Sequence, residues 1–253
     1  LVNSGTDFVT FDAAAGIPIR TNSQPQNLSG RGTSMRLLPG DRGLYAACWT
    51  PQVLLTSDGH WRNAVPWAES GISSVRQVAH SVAAGLLATA SYDHHVDLLA
   101  LDDFSRRARF YGHRDEVWCV AFSPDGKFLA TGDQDHAVLL WSTAARSEAR
   151  DIPGVFPLWS PVFSPRGDLA AAPTSGGYAG SRADTVVVMD LDSSRQRAVL
   201  KSAGVPIRFS QYGNRLTTLS SNAMEIYETE RWQRVATLPV PTGIETPDRK
   251  SVV

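Results

Sequence analysis

Residues 112–142 constrain the fold of this chain more than any other part of its sequence. Two short β-prone runs, 117–122 and 128–131, are separated by Ser-Pro-Asp-Gly, which is a strong turn former. A second turn at 133–135 leads into a third apolar run, which ends at Trp141 and is too short for a helix. The stretch therefore predicts consecutive antiparallel strands with both faces buried, as sheets stacked between two neighbours require.

Weaker copies of this pattern recur along the chain, and they are needed because one such unit cannot bury its own faces. Phe163 follows its counterpart Phe122 by 41 residues, and Phe209 follows after another 46 residues. Upstream, His80 and Trp49 take the place of Phe122 in two earlier copies, each on a predicted innermost strand. The repetition predicts several sheets of the same kind packed one against the next.

The stretch 112–142 resembles a WD40 repeat, with Gly112-His113 for the family's opening Gly-His and Trp141-Ser142 for its closing Trp-Asp. The resemblance implies an all-β propeller of four-stranded antiparallel blades. We expect about five complete blades and a half blade at each end. The expected limits are a half blade at 1–28, blades at 29–70, 71–110, 111–153, 154–200 and 201–239, and the start of a further blade at 240–253.

The two ends of the chain are predicted to lie inside blades. Residues 7–12 and 17–20 have the pattern of a third and a fourth strand, and residues 246–253 resemble a turn that opens a new blade. The two halves could complete one blade, or the chain could be a piece of a longer array. We favour the longer array, because neither end shows a natural start or stop.

Composition agrees with a single all-β domain, because 253 residues is an ordinary length for a propeller. A net charge of −1 gives no electrostatic reason to expect nucleic acid or an anionic membrane as a partner, and no apolar run approaches membrane-spanning length. Cys48 and Cys119 fall on predicted strands of non-adjacent blades, so we expect buried free thiols and a cytoplasmic location. Only three of the 24 basic residues are lysine, which suggests a GC-rich, bacterial genome.

The resemblance gives four polar residues of the best repeat a structural role. In WD40 proteins the matching set ties the loop before the innermost strand to the third strand. Pairing a buried imidazole, hydroxyl and indole N–H with one another satisfies all of them at once. The set here is His113, Thr131, Asp135 and Trp141. A catalytic pair made of His113 and Asp135 is the alternative, which the surrounding motif disfavours.

Other signals of chemistry are weak. His94-His95 beside Asp93 could be metal ligands, but neighbouring residues on a strand point to opposite faces, and a surface turn explains them better. The sequence holds no Gly-x-Ser-x-Gly elbow, no Cys-x-x-Cys and no glycine-rich loop ahead of an amphipathic helix. We therefore expect no catalytic residue, no metal and no cofactor.

A candidate binding surface comes from the position four residues before the Phe122 equivalents, near the start of each innermost strand. The residues there are Tyr45, Arg76, Trp118, Trp159 and Val205. By resemblance, this position opens toward the central channel of WD40 proteins, where peptides commonly dock. Aromatic and arginine side chains dominate many interfaces. Tyr178, on a glycine-rich insertion, is expected nearby. The alternative is that Trp118 and Trp159 fill space between blades.

The sequence thus predicts a non-catalytic scaffold for a protein or peptide partner. Similar repeats form modules of larger bacterial proteins, so a fusion to a signalling domain such as a serine/threonine kinase fits the resemblance. The rival function is a propeller that gates substrate for a hydrolase or hydrolyses substrate in its own channel. Against catalysis, the predicted channel mouth offers aromatics and Arg76 rather than paired carboxylates or a nucleophile with its base. Fold resemblance alone does not decide between the two.

Overall fold

The structure is a computed structural model. It describes residues 74–135, 137–144, 161–173, 185–201, 204–220 and 223–240 with their side chains, and the strands at 2–3, 7–11, 18–23, 32–38, 42–47, 52–56, 61–63, 150–152 and 174 without them. All regular structure in these residues is β. The described part of the chain contains no helix of the length and apolar character that crossing a membrane requires.

Twenty-three strands are described, and consecutive strands of the same sheet pair as antiparallel neighbours. They are β1 (Val2–Asn3), β2 (Asp7–Phe11), β3 (Pro18–Ser23), β4 (Gly32–Leu38), β5 (Arg42–Ala47), β6 (Gln52–Thr56), β7 (Trp61–Asn63), β8 (Val75–Ser81), β9 (Leu86–Ser91), β10 (Val96–Ala100), β11 (Arg106–Phe110), β12 (Val117–Phe122), β13 (Phe128–Asp133), β14 (Val138–Ser142), β15 (Arg150–Ile152), β16 (Val162–Phe163), β17 (Leu169–Thr174), β18 (Thr185–Asp190), β19 (Gln196–Lys201), β20 (Val205–Phe209), β21 (Arg215–Leu219), β22 (Ala223–Glu228) and β23 (Arg234–Pro239).

Among the described strands, five sheets have four strands each, and we number them I (β4–β7), II (β8–β11), III (β12–β15), IV (β16–β19) and V (β20–β23). A three-stranded sheet of β1, β2 and β3 precedes them. The predicted fold class, four-stranded antiparallel blades of the WD40 type, is confirmed. The predicted half blade at 1–28 holds this three-stranded sheet, whereas two strands were expected. Residues 241–253 lie outside the described residues, so the limits of the final half blade stay a prediction.

The first strands of the I–II, II–III and IV–V sheet pairs lie side by side, which identifies the first strands as the innermost ones. Strand β8 lies beside both β4 and β12, and β16 lies beside β20. The backbone N–H of Val120 on β12 also donates to Gln77 Oε1 on β8, at 2.7 Å. Behind these strands the sheets pack face to face, and we call each such contact a seam. Buried apolar clusters fill the II–III, III–IV and IV–V seams.

Four sheets share one register between their first and second strands. The paired residues are His80 with Leu87, Phe122 with Leu129, Phe163 with Ala170, and Phe209 with Leu216. The alignment of His80, Phe122, Phe163 and Phe209 is therefore correct for sheets II to V, but the bulge in the first strand of sheet V is at Ile207, two residues before Phe209. Because the register is the same, equivalent side chains of successive sheets meet equivalent neighbours, and one seam can be compared with the next residue by residue.

The alignment of sheet I was wrong. Tyr45 lies on β5, which pairs with both β4 and β6, so it belongs to the second strand and not to the innermost one. The first strand of sheet I is β4, at Gly32–Leu38. The sequence contains the reason for this error. Pro39-Gly40-Asp41 favours a turn between β4 and β5, and the alignment of Trp49 with Phe122 did not take that turn into account.

The turns between first and second strands repeat one hydrogen-bonded design. Gly126 donates its N–H to the Ser123 carbonyl at 2.9 Å, and Gly167 and Gly213 make the same bond to the serine three residues before them. These glycines have φ angles of +71° to +73°, a left-handed conformation that other residues rarely adopt. Each turn also packs on the previous one. A Cβ at Gly126 would lie 2.6 Å from both Ala84 Cβ and Ser81 Oγ.

Two glycine-to-alanine changes should separate backbone strain from this close approach. Gly85 has a φ of +65° but no atom within 4 Å of an added Cβ, so Gly85→Ala should lower the free energy of unfolding by about 1–2 kcal/mol, from the left-handed φ alone. Gly126→Ala should lower it by roughly a further 1–3 kcal/mol, because Ala84 and Ser81 must move. Urea denaturation measures both. Equal losses would show that packing between the turns contributes nothing.

Candidate functional site

Arg76 and Trp118 occupy equivalent irregularities on neighbouring innermost strands. In sheet II the pairing passes from Val75 with Ser91 directly to Gln77 with Ala90, which leaves Arg76 outside the ladder. In sheet III it skips Trp118 in the same way, between Val117 and Cys119. A β-bulge of this kind re-aims the side chain of the extra residue, and such bulges are frequent beside functional sites.

The two re-aimed side chains contact each other across the II–III seam. The guanidinium carbon of Arg76 lies 4.6 Å from the centroid of the Trp118 ring, which is a cation–π geometry. Arg76 Nη1 donates to Tyr92 Oη at 3.0 Å, and Trp118 Nε1 donates to Glu116 Oε2 at 3.3 Å. All four side chains are partly buried. We call these four residues the Arg76–Trp118 surface.

Of the residues predicted for binding, the structure thus brings together Arg76 and Trp118. Tyr45 is on a second strand, as described above. Trp159 and Tyr178 lie outside the described residues. Tyr92 and Glu116 were not predicted from the sequence. The signal that could have found them is topological, because the turn after a second strand and the loop before a first strand lie at the same end of an antiparallel sheet.

A buried polar network lies next to this surface in sheet III. His113 Nδ1 is 2.8 Å from Asp133 Oδ2, and His113 Nε2 is 2.6 Å from Thr131 Oγ1. Trp141 Nε1 donates to the same hydroxyl at 2.8 Å. The side chains of His113 and Asp133 are fully buried. Three of the four residues predicted for the network are therefore in contact.

The fourth predicted member, Asp135, is not part of the network, and Asp133 takes its place. Strand β13 extends to Asp133, which pairs with Val117. Residues two apart on a strand share a face, so the side chains of Thr131 and Asp133 point the same way toward His113. Asp135 lies beyond the end of the strand, in an exposed turn.

The charges of the network are held inside the protein. Burial raises the pKa of the Asp133 carboxyl, but hydrogen bonds from His113 and from the backbone N–H of Ala137 outweigh burial and hold that pKa below its usual value. Both ring nitrogens of His113 are engaged with buried partners. The geometry favours the structural role of His113, because its side chain and the Thr131 hydroxyl that it contacts are both buried and out of reach of an external substrate.

Other sheets keep the hydroxyl of this network without its partners. Thr89 in sheet II and Thr218 in sheet V occupy the place of Thr131, since each lies two residues beyond the leucine that pairs with the equivalent of Phe122. Both hydroxyls are buried, and the described residues provide no hydrogen-bond partner for either. Tyr227 in sheet V stands in the place of Trp141 but donates instead to Glu225 Oε2, at 2.8 Å.

Other candidate reactive groups are poorly suited to chemistry. Cys119 is buried, and burial raises the pKa of its thiol to about 12, so the nucleophilic thiolate is scarce at neutral pH. Cys48 lies outside the described residues. Of the residues considered as metal ligands, His95 and Asp93 lie close together, with His95 Nδ1 3.4 Å from Asp93 Oδ1. No group of three or more potential metal ligands occurs in the part of the chain that the structure describes.

Three matched threonine-to-valine changes test the network. Thr131→Val should lower the free energy of unfolding by about 1–3 kcal/mol, because it leaves His113 and Trp141 without their shared partner. Thr89→Val and Thr218→Val should be neutral or stabilising, because they remove a buried hydroxyl that has no partner among the described residues. Chemical denaturation of the three variants gives the comparison. Similar effects at all three positions would contradict it.

The stability of the fold should also depend on the protonation of Asp133. Its folded pKa is lower than the ordinary value of 3.8, so its contribution is complete above that value and is lost as the pH falls through the folded pKa. Asp133→Asn should therefore flatten the dependence of unfolding free energy on pH in the acid range. Denaturation at several pH values below 5 measures the slope. An unchanged slope would show that Asp133 is not the coupled group.

Comparison with known proteins agrees with this geometry. Residues 104–142 match the family described as WD domain, G-beta repeat. Similar proteins include Coronin-7 of Mus musculus, 37% identical over 106 residues, which are 42% of this chain and 10% of the relative. They also include the POC1 centriolar protein homolog B of Xenopus laevis, 44% identical over 54 residues, which are 21% of this chain and 12% of the relative.

Each match is partial. The chain spans about a tenth of the length of these relatives. Both relatives are eukaryotic, and the bacterial genome inferred from arginine usage stays a prediction. The family match is confined to residues 104–142, and the repeated four-stranded sheets agree with the fold that WD40 repeats imply.

Proposed function

We propose that this chain is a non-catalytic protein-interaction scaffold that binds a protein or peptide partner on the Arg76–Trp118 surface. The observation that carries the proposal is the stack of Arg76 on Trp118, which joins side chains from two neighbouring sheets. Tryptophan, tyrosine and arginine are the residues most enriched among interface hot spots, and three of the four residues of this surface are of these types.

The surface is also held in place before any partner arrives. Tyr92 accepts a hydrogen bond from Arg76, and Glu116 accepts one from Trp118. Long side chains that are already fixed lose less conformational entropy on binding, which leaves more of the contact energy for affinity. The stack is only partly buried, so one side of it remains accessible to a partner.

Trp159 would extend this surface, because it stands four residues before Phe163, as Trp118 stands before Phe122. Tyr178 would lie near it on the glycine-rich insertion.

A protein partner fits the net charge of −1 better than nucleic acid or an anionic membrane does. A cytoplasmic location and a fusion to a signalling domain such as a serine/threonine kinase are parts of the same proposal. The inward-facing His113 and the buried Cys119 favour a scaffold over the hydrolase-associated alternative.

Two substitutions on the surface and one control elsewhere test the proposal. Trp118→Ala and Arg76→Ala should each deplete the same specific partners by about tenfold or more in a quantitative pull-down from host lysate, since a hot-spot truncation costs about 2 kcal/mol or more. Tyr212→Ala removes a side chain that is 73% exposed on a turn at the opposite end of the strands, and it should leave the partners unchanged.

Circular dichroism and thermal unfolding must show that the variants remain folded. Trp118→Phe keeps an aromatic ring beneath Arg76 and should restore part of the binding. If both alanine variants retain every partner of the unsubstituted protein, Trp118 serves only to fill space between blades, and the proposal fails.

A further inference from the structure

A groove of about 710 Å³ opens at the II–III seam. It lies at the end of the strands opposite the Arg76–Trp118 surface, next to the turns that follow β8, β10 and β14. The wall from sheet II is apolar and includes Leu86, Leu98, Ala108 and Phe110, whereas sheet III contributes only the small residues Thr143 and Ala144.

The IV–V seam has a corresponding wall, and there a tryptophan from sheet V joins the apolar cluster of the seam. Register identifies the counterparts, because Leu98 pairs with Ala108 as Val188 pairs with Ala198, and Val96 pairs with Phe110 as Val186 pairs with Leu200. The corresponding wall of sheet IV is Leu169, Val188, Ala198 and Leu200. Trp232, from the turn after β22 of sheet V, belongs to the same apolar cluster as these residues.

The III–IV seam is filled from the same direction by a different residue. Leu191 follows β18 directly, is fully buried, and packs in the cluster that includes Phe128, the counterpart of Leu86. Thr143 holds the equivalent position in sheet III. The backbone N–H of Leu191 donates to Asp168 O, and that of Thr143 donates to Lys127 O, both at 2.9 Å.

The segment that follows β14 therefore has no large apolar side chain to offer the II–III seam, unlike the following sheets at the two counterpart seams. The sequence after β14 is Thr-Ala-Ala-Arg-Ser-Glu-Ala, at 143–149, and it contains no apolar side chain larger than alanine. No described side chain plays the part of Trp232 or Leu191 in this groove. Phe110 adds a rigid aromatic surface to the wall, because it is stacked on Trp141 with ring centroids 4.7 Å apart.

We propose that the groove of the II–III seam binds a short segment of a partner protein that inserts a tryptophan or similar aromatic side chain. Trp232, which packs on the apolar cluster of the IV–V seam, is the chain's own example of an aromatic side chain taken up at such a seam. A buried aromatic side chain removes on the order of 150–250 Å² from water. At the rim, Asp102 and Arg107 are exposed and carry opposite charges. They complement a segment with mixed charges beside its aromatic residue, as Glu230 and Arg231 stand beside Trp232.

The test uses a synthetic peptide that copies residues 227–234, Tyr-Glu-Thr-Glu-Arg-Trp-Gln-Arg, and a second peptide with alanine at the position of Trp232. Titration into the whole chain, followed by calorimetry and amide NMR, should show at least tenfold tighter binding of the tryptophan peptide. The amide shifts should centre on Ala108 and Thr143. Failure of the tryptophan peptide to bind at millimolar concentration, or equal binding of both peptides, overturns the proposal.

Substitutions locate the binding and separate this groove from the other surface. Ala144→Trp should fill the groove and reduce peptide affinity at least tenfold, whereas Gln211→Trp, an exposed position on the turn after β20, should not change it. Arg76→Ala should leave peptide binding intact. A failure of the groove proposal can therefore be distinguished from a failure of the proposed scaffold surface. If free N-acetyl-tryptophanamide binds as tightly as the peptide, the groove is a small-molecule pocket and a partner segment is excluded.

Discussion

The burial of both faces of each middle sheet is the constraint on which the rest of the structure depends. Strands β10, β13 and β14 have almost no exposed residues, so these sheets cannot exist without their neighbours. The shared register brings one column of side chains from each sheet against an equivalent column of the next. A repeated sequence pattern therefore produces a repeated seam, and each seam must solve the same packing problem with its own residues.

The seams solve it in different ways. At the II–III seam, Trp141 of sheet III stacks on Phe110 and also donates to Thr131, so the polar network of that sheet anchors an apolar contact. At the IV–V seam, Tyr227 takes the place of Trp141, and Trp232 adds apolar surface from the turn. Sheet III, which has the most complete polar network, also borders the groove. Its turn after β14 contributes only small side chains there, so the groove stays open.

The polar network and the Arg76–Trp118 surface are joined through the backbone of one loop. Asp133 anchors the end of β13, and the next residue, Gln134, donates its N–H to the Glu116 carbonyl at 2.9 Å. Glu116 in turn accepts the indole N–H of Trp118. Residues that are buried for stability therefore hold the loop that orients the exposed tryptophan. Such support from a rigid scaffold is what a preorganised contact surface requires.

The sequence by itself determined the fold class, the register of sheets II to V and three members of the polar network, because each follows from local patterns of turns and short apolar runs. His113, Thr131 and Trp141 were found in this way. Only the tertiary structure decided that Asp133 and not Asp135 completes the network, since that depends on where β13 ends. The place of Tyr45, the stack of Arg76 on Trp118 and the groove beside Phe110 were also decided there. These features arise from contacts between strands and between sheets. A single segment of the sequence does not specify which side chains of two sheets will be in contact, or which seam will receive no large apolar side chain from the following sheet.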